Sequence, residues 1–387
     1  MKAIDLFAGA GGFSLAANNC GVQILAAIEL DKTAAQTYKK NIIEHNSHKT
    51  QLINEDINRV NMKQLKASLA LKTGELDLLL GGPPCQGFSS HRINNAGVDD
   101  PRNALLFRYF DFINTFKPKA FLVENVSGLL WKRHAGYLNT FISLAQASGY
   151  DIKFCGKLNA KNYGVPQNRQ RVFILGARKS IKITPEFTFP PKATHFAPGK
   201  ALPHWRSASC VFEKPPEMVK QQYKGHYQKK MTTEQAEALL ANLEFGAAID
   251  LSDKCNVHMQ HTAEVTNRFA QTPLNGSRCD ITFRLKCHAN NYAGHKDVYG
   301  RIILDKPSNT ITTGCNNPSK GRFVHPWLNH GITLRHAARL QTFPDTFEFI
   351  GTITNQAKQI GNAVPIKLGE ALIKEIKRLI QPKSQVK

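Results

Sequence analysis

The sequence predicts an α/β fold, doubly wound about a mostly parallel sheet, with a smaller irregular domain set into it. Three observations carry this. Over the first 180 residues, short continuous apolar runs alternate with helical patterns, the mark of parallel strands covered on both faces. A glycine-rich turn joins the first strand to the first helix. After Arg178 the periodicity stops, and it resumes only at Thr333.

Ile4-Asp5-Leu6-Phe7 is the first strand, followed by the turn and a helix. Gln23 to Ile28 and Asp31 to Ile43 repeat the strand-helix unit. Leu76 to Leu80, Ala120 to Val123, Ile152 to Phe154 and Val172 to Leu175 supply further buried strands, with helices over Asn103 to Phe116 and Ala135 to Ala147. Ile183 to Pro203 is rich in Pro, Thr and Phe, and Pro215-Pro216 continues the irregularity. Met231 to Asn242 reads as a helix capped by Thr232 or Thr233, with Glu234 in its first turn. Residues 255–325 are loops and short β-like runs with scattered Arg, Lys, His and Asn. Leu334 to Gln341 and Gln356 to Ile380 read as helices. The texture divides the chain into 1–180, 181–325 and 326–387, a regular scaffold interrupted by an irregular basic insert.

Composition narrows the function. The 387 residues carry 51 Lys and Arg against 29 Asp and Glu, a net charge of +22 that attracts polyanions and points to nucleic acid. A generic basic protein, ribosome-associated or membrane-surface-binding, is the bland alternative. Hydrophobic content of 42% supports a proper core. There is no run of 18 or more apolar residues, so no membrane span is expected. The chain reads as a core strand from its second residue, which leaves no room for a leader and predicts a cytoplasmic protein. Eight cysteines without a C-x-x-C pair read as free thiols. Cys255, His258, His261, Cys279 and Cys287-His288 match no closed zinc module, and no metal is expected.

Five motifs carry chemistry. Asp5 to Ser14 (DLFAGAGGFS) aims backbone N–H groups at the polar end of a nucleotide-like ligand; a tight structural turn is the alternative. Ala27-Ile28-Glu29 ends the second strand with an acid where ribose hydroxyls are usually held, and Glu55-Asp56-Ile57 offers a further polar contact. Gly81 to Ser89 (GGPPCQGFS) places Cys85 at the carboxyl end of a strand behind two stiffening prolines, which suits an aimed nucleophile rather than the usual small buried hydrophobe. The polar, glycine-containing stretch that follows, Gln86 to Asn103, suits a lid. Phe121 to Val126 (FLVENV) delivers Glu124 to the same sheet edge, where an apolar setting can raise its pKa and let it donate a proton. In Gln167-Asn168-Arg169-Gln170-Arg171 the two arginines are two apart, so an extended backbone points both the same way; a pair of surface arginines is the alternative.

With Arg335 to Asp345 (RHAARLQTFPD) and Gln359 to Pro365 (QIGNAVP), these motifs stand in the order found in the cytosine-5 DNA methyltransferases, and the chain resembles that family, of the prokaryotic restriction-modification type, over nearly its whole length. The resemblance implies a Rossmann-like, S-adenosylmethionine-dependent fold. Residues 1–180 would be the catalytic and cofactor-binding domain, 181–325 the target-recognition domain, and 326–387 a segment returning to the catalytic domain. It implies Cys85 as the nucleophile adding to cytosine C6, Glu124 holding the exocyclic amine and N3, Arg171 binding O2, and Arg169 supporting the site or the loop. Phe7, Gly9, Gly11, Gly12, Glu29, Asp56, Ile57, Pro84, Leu105, Asn362 and Ala363 match positions around S-adenosylmethionine. Gln86, Ser89, Arg102 and Thr312 would contact DNA, Thr312 from a segment, Thr310 to Gly314, that grips the target-strand backbone. Two positions depart from the pattern: Leu30 stands where relatives often carry an aromatic residue, and Ala363 where many carry Ser.

The implied partner is double-stranded DNA with the target base flipped out, since a thiol cannot reach C6 in a stacked duplex. The implied setting is a monomer guarding DNA against a restriction endonuclease that acts independently. Two other readings stay open at this point: a transfer-RNA cytosine methyltransferase on the same scaffold, whose usual Cys-Phe-Thr signature is absent, and a non-catalytic DNA-binding relative, against which the intact Cys85, Glu124 and Arg171 argue.

Overall fold

Among the described residues, strands of continuous apolar character build a seven-stranded sheet in the order β3-β2-β1-β4-β5-β7-β6. The computed structural model describes residues 1–45, 49–84, 104–183, 185–282 and 296–380. The strands are β1 (Lys2–Leu6), β2 (Gln23–Ile28), β3 (Gln51–Ile53), β4 (Leu78–Gly81), β5 (Ala120–Asn125), β6 (Tyr150–Asn159) and β7 (Gln170–Arg178). β1 pairs in parallel with both β2 and β4, and β4 in parallel with β5; β7 runs antiparallel between β5 and β6. The sheet is therefore mostly parallel. Its order reverses at β1, so the loops leaving β1 and β4 open side by side at the carboxyl edge, where such sheets bind ligands.

The helices are α1 (Gly12–Asn19), α2 (Lys32–Tyr38), α3 (Met62–Ser68), α4 (Ala104–Phe116), α5 (Ala135–Ala147), α6 (Glu217–Gln228), α7 (Thr233–Ala241), α8 (Ala263–Gln271), α9 (Leu334–Leu340), α10 (Ile353–Asn362) and α11 (Ile366–Ile380). α2 begins where the Asp31 carboxylate accepts from the N–H groups of Thr33 and Ala34, and it continues as a π-helical turn over Lys39–Ile43. Thr232 caps α7 in a reciprocal box with Gln235, settling which of the two threonines is the cap. Among the described residues, no helix is long and apolar enough to cross a membrane.

The chain forms two compact units. The first comprises Met1–Asn159, Gln170–Ala193 and Ala363–Lys387; the second, Ala160–Arg169 and Thr194–Asn362. α9 and α10 thus belong to the second unit and α11 to the first. In the first unit, Ile4, Leu6, Leu79, Phe112, Phe121, Phe141 and Ile174 pack a core with little or no exposure.

The second unit is held differently. Its irregular backbone leaves carbonyls that no ladder pairs, and buried arginines take them up. Arg301, 3% exposed, donates to the carbonyls of Phe269, Thr272, His325 and Leu328 and to Asn329 Oδ1. Arg335, 1% exposed, joins Asp253 to the carbonyls of Pro344 and Phe347. Part of the arginine content that reads as a nucleic-acid surface is in fact internal scaffolding.

Candidate active site

The carboxyl edge of β5 presents Glu124, 9% exposed, and the neighbouring β7 presents Arg171, whose Nε lies 3.1 Å from Glu124 Oε1. The antiparallel register sets this up: Glu124 stands opposite Phe173 and Asn125 opposite Val172, so Arg171 falls just beyond the strand end. Burial lowers the Arg171 pKa from its ordinary value, and the Glu124 carboxylate opposes that shift.

The chain leaving β4 closes onto the same carboxylate. A Cβ on Gly82 would lie 3.1 Å from Glu124 Oε2, so a glycine is what lets this backbone approach. Asn125 Nδ2 donates to the carbonyl of Pro83 at 3.2 Å, while Asn125 Oδ1 accepts from the N–H of Val126. Gly82 and Pro83 are thereby held against Glu124, and Pro84, which follows them, is exposed. Cys85, Gln86, Ser89 and Arg102 lie outside the described residues.

Beside this, the turn after β1 is built from left-handed backbone. Phe7 and Gly9 both have φ of 57° and Gly11 has 98°. For Phe7 this is an uncommon conformation, and it sits at the candidate cofactor site. A Cβ on Gly9 would meet nothing within 4 Å, which leaves a cradle open beside its backbone. The Gly9 N–H donates to Glu29 Oε2 at 2.7 Å, and the Asp31 N–H to Glu29 Oε1 at 2.7 Å. The Glu29 carboxylate is thereby fixed beside the turn. Leu30 next to it is 67% exposed, an apolar face suited to a base ring. At Gly12 a Cβ would lie 2.9 Å from the Val364 carbonyl oxygen, so α1 rests directly on the segment that begins at Ala363.

Under the turn, Tyr38 Oη donates to Ser14 Oγ at 2.8 Å, and Ser14 Oγ to Asp5 Oδ2 at 2.7 Å, all three side chains being buried. Burial pushes the Asp5 pKa up to about 7, against the Ser14 hydrogen bond and with help from the nearby Glu29 charge. Across the sheet edge, Arg108 on α4 donates to the carbonyls of Ile57, Asn58 and Val60, fixing the loop that carries Asp56 and Ile57. Leu105, half-buried, stands one turn earlier on the same helix.

Arg169 and Arg171 do not share a surface. The strand starts at Gln170, and Arg169 lies in the second unit with no exposure. Its guanidinium donates to the carbonyls of Ile311 and Gly361, each at 2.8 Å. Thr312 follows Ile311 and is half-buried; Asn362 follows Gly361 and is exposed.

Among the described residues, Cys255, His258, His261 and Cys279 form no group of metal ligands. Cys255 is buried, Cys279 is exposed, and Cys287-His288 lies outside the described residues. Among the described residues, Glu213, His325 and His336 offer atoms within 4.8 Å of one another. His325 Nδ1 accepts from the N–H groups of Trp327 at 3.4 Å and Leu328 at 3.1 Å, so its proton sits on Nε2. That nitrogen offers a proton, not a lone pair, and His336 Nε2 lies 3.6 Å from Glu213 Oε2.

Several residues of consequence escape sequence reasoning: Gly82, Arg108 and Asn125. Asn125 lies inside a motif that signalled the site, and its side-chain amide was the available sign.

Comparison with known proteins shows the family. The family model described as C-5 cytosine-specific DNA methylase matches residues 1–378. The type II methyltransferase M.DdeI of Desulfomicrobium norvegicum is 32% identical, covering 97% of this chain and 88% of the relative. M.AgeI of Thalassovita gelatinovora, also a type II methyltransferase, is 30% identical, covering 97% of this chain and 99% of the relative. The solved structure of the methyltransferase EhMeth of Entamoeba histolytica superposes with a TM-score of 0.60 at 13% identity, covering 97% of this chain and 98% of that one, a likeness of fold.

Proposed function

The chain belongs to the C-5 cytosine-specific DNA methylases, and we propose on that premise that Cys85, Glu124 and Arg171 perform the transfer while the turn after β1 and Glu29 hold the methyl donor. The enzyme is a DNA (cytosine-5-)-methyltransferase that uses S-adenosylmethionine. The observation that carries the residue roles is the closure of Gly82-Pro83 onto Glu124, itself paired with Arg171. It sets the backbone leading to Cys85 beside one acid and one cation, the three groups this reaction needs.

Cytosine C5 is a weak nucleophile. Addition of the Cys85 thiolate to C6 of a flipped-out base moves electron density to C5, which then accepts the methyl group. Glu124 would meet N3 and the exocyclic amine and favour that addition by proton donation at N3; Arg171 would meet O2. Loss of the C5 proton and expulsion of the thiolate restore the ring. The bound cofactor supplies an electrophilic methyl. The residues present suit it: the open cradle at Gly9, the acidic Glu29 held against that turn, and the exposed Leu30 beside it. Phe7, Gly11, Gly12, Asp56, Ile57, Pro84, Leu105, Asn362 and Ala363 complete the proposed contact set. Gln86, Ser89, Arg102 and Thr312 are the proposed DNA contacts.

The kinship with type II methyltransferases supports a restriction-modification role, with the protein acting as a cytoplasmic monomer on duplex DNA, independently of a companion endonuclease. A transfer assay with labelled methyl donor, run on duplex DNA and on transfer RNA, tests the substrate. Bisulfite sequencing of plasmid from expressing cells then maps the site. Label on transfer RNA alone, or on neither, would overturn the reading.

A further inference from the structure

Among the described residues, Asp5 is a buried carboxyl group with no cation to balance it. It is 1% exposed, and the sheet register sets it between Ala27 of β2 and Leu80 of β4, both without exposure. The groups that bear on it are Ser14 of α1, Tyr38 of α2, Tyr109 of α4, and Glu29 just past β2. Burial raises the pKa of both tyrosines, so they keep their protons. Tyr109 Oη donates away from Asp5, to the carbonyls of Leu79 and Leu122. Glu29 adds a like charge. Support for the carboxylate therefore comes from Ser14, which donates to Asp5 Oδ2 and accepts from Tyr38 Oη.

This chain of hydroxyls lies directly under the glycine turn. Asp5 and Ser14 close the base of the loop between β1 and α1. The Tyr38 ring reaches the turn itself: a Cβ on Gly11 would lie 3.0 Å from Tyr38 Cδ2 and 2.9 Å from Ile42 Cγ1. Gly9 is held from the other side by Glu29. The carboxyl group is thus fixed beneath the turn by its partners, in surroundings that screen charge poorly. Positive charge arriving at the turn meets an acid that can respond only by giving up its proton.

We propose that Asp5 is a proton-linked positioning residue that ionises when the sulfonium of the methyl donor binds at the turn, and so favours S-adenosylmethionine over its neutral thioether product. The proposal rests on the cofactor role given to that turn above. The step is the loss of one proton from the Asp5 carboxyl group to solvent, with no other bond changed. Burial has already pushed the Asp5 pKa up to about 7, so both forms are populated near neutral pH. Donor and product differ by one charge at sulfur and share the rest of the molecule. Linkage makes the effect reciprocal: the donor binds more tightly as Asp5 loses its proton, and the product gains less.

The test is calorimetry of S-adenosylmethionine and S-adenosylhomocysteine binding to the full-length protein, in buffers of different ionisation enthalpy. Asp5→Asn is the reference, since it is neutral throughout and the ligands' own ionisations are common to both proteins. Relative to that variant, the wild type should release about 0.4 proton more on binding the donor at about pH 7. Its ratio of product Kd to donor Kd should rise about fivefold more between about pH 6 and about pH 8. Tyr38→Phe keeps the ring against Gly11 but removes the hydroxyl that supports Ser14. With the carboxylate less supported, the same rise should move to higher pH, a displacement that loss of packing does not produce. That variant also serves if Asp5→Asn does not fold. Equal proton release in the wild type and Asp5→Asn, or a Tyr38→Phe profile that matches the wild type, would overturn the proton link alone. Failure of the wild type to bind either ligand at any pH would overturn the cofactor reading as well.

Discussion

Arg171 Nε and Glu124 Oε1 meet at 3.1 Å across the antiparallel pair β5–β7, with side-chain exposures of 17% and 12%. The pair places a cation beside the acid that the Gly82 backbone approaches. Removing the cation raises the carboxyl's proton affinity and leaves a largely buried charge without its partner. Arg171→Ala should lower kcat by about 100-fold or more, the scale of a lost acid-base function, and shift the pH profile of kcat upward. Arg171→Lys should recover part of both. Single-turnover methyl transfer across pH 6 to 9 (about three units, enough to follow one carboxyl group) provides the measurement. An Arg171→Ala enzyme with wild-type kcat and profile would remove the pair from the chemistry.

Glu29 holds two backbone N–H groups as well as facing the Gly9 cradle. Glu29→Ala should weaken S-adenosylhomocysteine binding by about 1–3 kcal/mol, the range for a hydrogen bond to a charged group, read by calorimetry. Glu29→Gln, which keeps an acceptor oxygen, should lose less. Equal affinity in all three proteins would place the ribose elsewhere.

The glycine pattern around the turn was legible because each glycine has a distinct geometric duty, and the parallel strands were legible because both faces are buried. Gln51–Ile53 was not legible: it is three residues long and partly exposed, so it carries no apolar run. Nor was the true start of β7. Arg169 and Arg171 look equivalent at a spacing of two, yet the strand begins between them and the first arginine turns into the second unit. Which arginines of 255–325 are internal was equally hidden, since a guanidinium that collects loop carbonyls and one that meets phosphate have the same composition. Arg301 shows the difference only through its partners.

Gly12 predicts a packing effect. Its missing Cβ would sit 2.9 Å from the Val364 carbonyl, and backbone cannot move aside as a flexible side chain can. Gly12→Ala should destabilise the protein by about 1–3 kcal/mol, the usual cost of overpacking, seen as a lower midpoint in chemical denaturation. Gly136→Ala, where a Cβ meets nothing within 4 Å, is the control and should not destabilise. Matching midpoints for the two variants would show that α1 is free to shift.

The second unit gathers histidines whose pKa values burial lowers. His325 lies well below the ordinary 6.5, and His261, His330 and His336 are lowered too. A base with a depressed folded pKa binds fewer protons folded than unfolded, so its stabilising share is full above 6.5 and is lost as pH falls below it. Asp5 works in the opposite sense, its raised pKa favouring the folded state as pH falls below about 7. The histidine share is therefore read by difference. His330→Asn, relative to wild type, should show a smaller fall in thermal midpoint between pH 7 and pH 5 (roughly the window of imidazole titration), since Asp5 contributes equally to both. Parallel curves for the two proteins would sink the assignment.

The last prediction tests the nucleophile. Cys85 follows a segment fixed by the Asn125 to Pro83 hydrogen bond and by the fit of Gly82 against Glu124. A cytosine bearing fluorine at C5 accepts the methyl group but cannot release the C5 substituent as a proton, so the C6 adduct has no route to elimination. Duplex DNA carrying that base at the mapped site, incubated with S-adenosylmethionine, should become covalently attached to Cys85. Mass spectrometry of the denaturation-resistant complex after protease digestion locates the attachment. Cys85→Ser should lose turnover almost completely, because a serine hydroxyl is far less acidic than a thiol and Glu124 and Arg171 are committed to the base. The same variant should still bind duplex DNA, since phosphate contacts do not use the thiol. Buried Cys255 and Cys315 have pKa values raised by burial and are poor competitors. An adduct on any other cysteine, or full turnover in Cys85→Ser, would move the chemistry away from the carboxyl edge of β4.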